Sequence, residues 1–318
     1  MTRLPAYRGP AAVSQRIEGR VVAQVLLNGL FVGSFYALVA LGYSMVYGII
    51  KLLNFAHGDL YMLGAYIGFM VLSGVPGAAQ VAGVPALLVL LLIAMLTTGL
   101  LGVAIERVAY RPLRSAPRLA VLITAVGMSF TLEYGVRQAF GPSPKAYPLR
   151  ISGGMVTIVG AQISVAQISL MLVAALLMAV LAFYVNRTRE GRAMRAIALD
   201  SRASTLMGID VNRTISRVFF VGSALAGAGG VMAGAFYGSI DFMMGFSIGL
   251  KAFTAAVIGG IGNLYGAMLG GLALGLLEAI GTSWVGGEWR DVFSFACLIL
   301  FLTFRPTGLL GARVVERM

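Results

Sequence analysis

Leu52–Asp59 reads LLNFAHGD and holds the only histidine of the 318-residue chain. Asn54, His57 and Asp59 put three strongly polar side chains between apolar runs near residues 22–50 and 58–75, in a sequence that is 59% hydrophobic. Two readings compete. The stretch is either a metal or catalytic site, or a junction between two helices of a membrane protein.

Composition favours the second. Only 11% of residues are charged, against roughly a quarter in soluble domains. The 42 glycines suit closely packed membrane helices, where small residues let backbones approach. Apolar stretches of about 20 residues, long enough for a hydrocarbon core about 30 Å thick, recur along the chain. They fall near 22–50, 58–75, 85–108, 119–140, 165–186, 215–239, 264–284 and 291–304. The segment 246–262, FSIGLKAFTAAVIGGIG, is apolar but carries Lys251 and four glycines. It reads as a short or re-entrant helix, which a membrane tolerates only where protein buries the broken backbone. The expected fold is therefore all-α: a polytopic transmembrane helical bundle of about eight spans plus one short broken or re-entrant helix, forming a single domain over 1–318.

The net charge of +12 gathers in short connections, the pattern of loops retained in the cytoplasm. Tyr110–Arg118, YRPLRSAPR, has arginines and no acid. Asn186–Arg213 has many arginines against Glu190, Asp200 and Asp210. Both are expected on the cytoplasmic side, with 141–164 outside, where MVTIVGAQISV suggests a small hairpin. Residues 1–21 form an N-terminal extension with no removable signal peptide expected. Parity puts it outside unless the 22–50 run is broken. The basic tail from Arg305 reads as cytoplasmic if 246–262 effectively crosses. Cys297 stands alone, so no intrachain disulfide is possible.

Enzymatic readings fail on the residues. One histidine and one cysteine are too few for a zinc site. No Ser–His–acid set is suggested, and no phosphate loop of the G-x-x-x-x-G-K-[ST] type occurs. No cofactor is called for. An internal echo links LLNFAHGDLYMLGAYIG to IGGIGNLYGAMLGGLALG, each a Gly/Asn break before a helix; paired breaks of this kind point to a transport pathway. Asn54, His57, Gly58, Asp59, Lys251 and Asn263 are thus candidates at helix junctions or on a pathway. Glu133 and Glu278 are intramembrane polar candidates, because polar groups in hydrocarbon are costly. For Glu133, Glu278 and Lys251, structural pairing is favoured over contact with a substrate. Glu106-Arg107 reads as an interfacial pair.

The loop AMRAIALDSRASTLMGID mixes apolar and charged residues as two short amphipathic helices would. Asp200 or Ser201 can cap the second, and Gly208 can end it in a left-handed turn. Apolar side chains on such a helix need something to bury them, either the protein's own helix ends or a cytoplasmic partner.

SRASTLMGID is similar to the loop of ABC-importer permeases, whose pattern is Glu-Ala-Ala, three residues, then Gly. Arg202-Ala203-Ser204 and Gly208 keep the spacing, with arginine in place of the glutamate. Together with GSFYALVALGYSMVYGIIKLLNFAHGDLYMLGAY, IERVAYRPLRSAPRLAVLITAVGMS, GIDVNRTI, GLKAFTAAVIGGIGNLYGAMLGGLALGLLEA and FRPTGLLG, the order and spacing resemble the branched-chain amino-acid ABC importer permeases, specifically their H-type subunit. The resemblance covers nearly the whole chain after about residue 24. It implies a multi-pass subunit of the bacterial inner membrane that moves branched-chain amino acids into the cytoplasm without catalysing a reaction itself. It implies partners: a second, related permease, two cytoplasmic ATPases and a periplasmic substrate-binding protein. It implies that residues 195–210 couple to the ATPase, with Arg195, Asp200, Arg202, Ala203, Ser204, Leu206, Gly208 and Asp210 in that segment. A urea or short-amide importer permease of the same family is the alternative substrate class. An ion-coupled carrier using Asp59 or Glu133 is the alternative mechanism.

Overall fold

The computed structural model describes residues 10–74, 83–114, 116–149, 151, 153–158 and 160–311. The first nine residues of the N-terminal extension, and the tail beyond Gly311, lie outside this set. Eleven α-helices occur among the described residues. The expected spans appear as α1 (Pro10–Ile50), α2 (His57–Gly74), α3 (Val84–Ile105), α4 (Arg118–Phe140), α5 (Val165–Arg187), α8 (Val211–Tyr237), α10 (Leu264–Val285) and α11 (Arg290–Phe304). Two short helices, α6 (Arg189–Leu199) and α7 (Ser201–Leu206), sit between α5 and α8, and α9 is Met244–Gly259.

Six of these helices are long and apolar enough to cross a membrane. The other three apolar helices are shorter. At 1.5 Å per residue the 18, 16 and 15 residues of α2, α9 and α11 reach about 27, 24 and 22 Å. All three fall short of a hydrocarbon core about 30 Å thick. The segment expected to be broken is helical straight through Lys251, and the break falls after it, at 260–263. Lys251 is accommodated because carboxylates meet its ammonium group inside the protein.

The polar connections sort to two ends. At one end, β1 (Lys145–Ala146) pairs antiparallel with β4 (Ser239–Ile240), and β2 (Met155–Ile158) with β3 (Ala161–Ser164). The second pair is the expected hairpin. Gln24 of α1 donates to Gln162 O at 2.9 Å and accepts from its N–H at 2.8 Å, so α1 begins at this hairpin end. At the other end lie α6 and α7. There Met45 and Gly48 of α1 share a crevice with Val185, Met194 and Arg195. The tail closes onto α9 at the same end: Leu309 and Leu310 donate to Ile258 O and Gly259 O at 2.8 and 3.0 Å. Asn263 caps α10 through Gly266 N–H and donates to Leu310 O. The 22–50 run is thus one continuous helix from the hairpin end to the loop end.

The core is built around α8 and α1. In α8, 83% of its most apolar window is buried, against 22% in α5, whose Leu172, Leu176 and Phe183 point outward. α1 lies along α10, α3 along α8, and α2 against both α8 and α9. The α1–α10 seam is made by small residues: a β-carbon on Gly33 or Gly275 would come within 2.9 Å of the facing backbone. Such contact lets dispersion and backbone packing hold helices together where water exclusion cannot.

Candidate functional site

Three groups of side chains carry the polar chemistry, one at the loop end, one in the interior and one under the hairpin end.

At the loop end, Thr188 starts α6 by accepting from Gly191 N–H at 3.1 Å. The helix buries Met194 and Ile197, and Arg195 donates to Val185 O. Asp200 then caps α7, its carboxylate accepting from Arg202 N–H at 2.8 Å and Ala203 N–H at 3.0 Å. Ser204 is the buried residue of the helix. Ile209 N–H reaches Ser204 O and Gly208 N–H reaches Thr205 O, both at 3.0 Å. Those two bonds form a Schellman stop, and Gly208 sits at φ +79°, where a β-carbon would be strained. Asp210 caps α8 through Arg213 N–H at 2.9 Å. The result is a six-residue helix capped at both ends, with Leu206 in it and Leu199 and Met207 flanking it, all 82–90% exposed. Fixed caps on both sides thus hold exposed apolar side chains in place at this end of the molecule.

In the interior, Leu52–Asp59 is a helix junction, with Asn54, His57 and Asp59 all buried. After Ile50 the chain turns back, and His57 packs against Gly42 of α1 and Gly222 of α8. Gly42 precedes the end of α1 by two turns, about 12 Å of helix. The absence of side chains at Gly42 and Gly222 makes room for the imidazole, which stacks edge-on against Tyr43 at 4.7 Å. Asn54 fixes the returning strand: its side-chain oxygen accepts from Tyr110 OH at 2.8 Å, and its carbonyl from His57 N–H at 3.1 Å. Among the described residues, neither imidazole nitrogen has a partner in good hydrogen-bonding geometry. α2 therefore starts inside the protein, beside the start of α9. The two backbones meet at Gly58, where a β-carbon would come 2.3 Å from Gly245 O and 2.6 Å from Gly249 Cα. Asp59, fully buried in the first turn of α2, faces Ser129 and Glu133 of α4. Among the described residues, both Asp59 oxygens and Oε1 of Glu133 lack a partner in good hydrogen-bonding geometry.

Under the hairpin end, α1, α9, α10 and α11 converge on Lys251. Its Nζ lies 3.0 Å from Glu278 Oε1 and 2.7 Å from Asp291 Oδ1. Glu278 also accepts from Tyr36 OH at 2.7 Å and from Ser294 OH. This network floors an open cavity of about 560 Å³, whose lining includes Tyr61, Tyr237, Asp241, Arg290 and Asp291. Glu106, by contrast, does not pair with its neighbour Arg107, which points outward. Its partners are Arg114 and Ser216, because adjacent helical residues do not face each other.

Sequence reasoning missed Tyr36, Arg290, Asp291 and Ser294. The one available signal was Lys251 itself, since a buried ammonium needs carboxylates. Lys251 and Glu278 come together; Glu133 joins Asp59 instead; Asn263 stands apart at the loop end.

Comparison with known proteins places this geometry. Residues 25–302 match the family model described as branched-chain amino acid transport system / permease component. The chain is 46% identical over 300 residues to the high-affinity branched-chain amino acid transport system permease protein BraD of Pseudomonas aeruginosa, covering 93% of this chain and 97% of that protein. It is 43% identical to the corresponding permease protein LivH of Escherichia coli K12, with the same coverage. A probable branched-chain amino acid transport permease protein LivH from Methanocaldococcus jannaschii is 25% identical over 90% of this chain and 92% of its own length.

Proposed function

The chain belongs to the family of branched-chain amino acid transport system permease components, and from that premise we propose that it imports leucine, isoleucine and valine as one subunit of an ATP-driven importer. The observation that carries the mechanism is the capped α7 helix with Leu206 and Met207 exposed beside it. A nucleotide-binding partner seated on this helix would transmit its motion into α8, because Asp210 caps α8 directly after the α7 stop. ATP hydrolysis belongs to that partner, and this chain supplies the moving path.

In this proposal the chain is a single membrane domain of the bacterial inner membrane. Segment 186–213 is cytoplasmic and 141–164 faces the periplasm, where a binding protein delivers substrate. A second, related permease completes the pathway, and two ATPase subunits dock beneath the pair. Residues 195–210 act as the coupling segment. The buried junction at Asn54–Asp59 and the Gly58–Gly245 crossing form the hinge beside the path. Two shorter helices starting in the interior, α2 and α9, allow rearrangement there without breaking a full-length span.

The test is reconstitution of the chain with its ATPase, second permease and binding-protein partners in liposomes. Leucine, isoleucine and valine are expected to accumulate and to compete with one another, while urea and acetamide neither accumulate nor compete. Accumulation of urea or acetamide in place of the aliphatic amino acids would reassign the substrate class.

A further inference from the structure

We propose that the cavity under the hairpin end is a binding site for a zwitterion. In it Asp291 receives the α-ammonium group, and Arg290 the α-carboxylate, of an aliphatic amino acid. The proposal rests on the importer reading and adds a site inside the permease to it.

The charges in the cavity are unequally spent. Lys251 is buried and already holds two carboxylates, Glu278 at 3.0 Å and Asp291 at 2.7 Å. Glu278 is saturated by Lys251, Tyr36 and Ser294, so that pair is electrically closed. Asp291 is the surplus charge. Lys251 fixes its Oδ1, yet the side chain stays 61% exposed. An anchored carboxylate with a free edge is a preorganised acceptor for an ammonium group. The preceding residue, Arg290, lines the same cavity, is exposed, and has no ion-pair partner among the described residues. Its guanidinium offers the forked donors that suit a carboxylate. Both groups line the same cavity at the start of α11.

The walls fit the remainder of such a ligand. Tyr237, Met244 and Ile248 supply apolar surface, and Asp241 and Glu288 add two further carboxylates to the lining. The volume of about 560 Å³ falls within the range of roughly 300–1,000 Å³ usual for small-molecule sites. A simple cation would leave Arg290 without a partner; an uncharged amide has no use for two opposite unspent charges. The chemistry selects a ligand carrying both.

Saturation-transfer NMR tests this on the assembled complex in detergent without binding protein, at millimolar probe. The probes are leucine, 4-methylpentanoate, which lacks the ammonium group, and leucinamide, which lacks the carboxylate. Leucine is expected to bind about tenfold more tightly than either analogue, as expected for loss of one charge-assisted contact. Arg290→Gln should weaken leucine to the level of leucinamide without changing leucinamide. Asp291→Asn should weaken leucine to the level of 4-methylpentanoate. Arg290 is exposed and unpaired, so its variant reads binding even if loss of the Asp291 charge disturbs folding. Equal signals from all three probes, no leucine signal, or wild-type leucine binding by the Arg290 variant overturns the site. Parallel leucine uptake by the wild-type complex with its binding protein separates the two failures. Uptake without a leucine signal removes the site and keeps the importer; absence of both uptake and a leucine signal removes both.

Discussion

Replacing Leu206 by aspartate separates a docking helix from a merely exposed one. Leu206 is 89% exposed and touches little of its own chain, so the change should leave the permease's own stability within about 0.5 kcal/mol, as for most surface substitutions. The effect on docking is different. Burying a leucine side chain against a partner contributes about 1.5–3 kcal/mol, and a carboxylate placed in the same apolar contact adds an unpaired buried charge. Losing even about 2 kcal/mol weakens the partner's affinity roughly 30-fold at 1.4 kcal/mol per tenfold. The assay has two parts. Thermal melting of the purified permease should not move, whereas co-purification of the ATPase subunits and ATP-driven leucine uptake should both fall by at least that factor. Unchanged retention of the ATPase together with unchanged uptake would refute the assignment of α7 as the contact. A large drop in melting temperature would refute the premise that Leu206 is unburied in the permease.

Other substitutions probe the remaining geometry. Gly208 sits at φ +79° with open space around it, so Gly208→Asn should keep uptake near wild type while Gly208→Val, which strains the left-handed stop by about 1–2 kcal/mol, should lower it severalfold; equal uptake by the two would remove the role of the turn. Gly58→Val places a β-carbon 2.3 Å from Gly245 O, forcing α2 and α9 apart at a cost of about 1–3 kcal/mol, and should lower the complex's melting temperature and its uptake together. Lys251→Met leaves Glu278 and Asp291 without their shared cation, at about 3–5 kcal/mol. Adding Glu278→Gln should recover much of that loss in a melting experiment, because Tyr36 and Ser294 still have an amide to bond.

What sequence conveys here follows from how local each cause is. The long helices are legible because span length and charge exclusion act over about 20 contiguous residues. The ends of α7 are legible because an aspartate cap and a glycine stop are chemistry of neighbouring residues. The burial of His57 is not, because it depends on Gly42 and Gly222 leaving space on two other helices. Lys251 signals that carboxylates must be near, yet only the convergence of α9, α10 and α11 identifies Glu278 and Asp291 as those carboxylates. Glu106 likewise finds Arg114 across a five-residue π-helical turn, Glu106–Tyr110, which alternation of charge along the chain does not reveal.

The energy source is the most direct test of the central claim that motion enters this chain through α7 from a nucleotide-driven partner. Proteoliposomes holding the full complex, with ATP enclosed on the α7 side and binding protein on the other, should accumulate labelled leucine against its gradient. Accumulation should persist when a protonophore abolishes the proton gradient and stop when a non-hydrolysable analogue replaces ATP. Uptake that instead collapses with the proton gradient while ATP is maintained would contradict the account, and would turn attention to the buried carboxylates of Asp59 and Glu133.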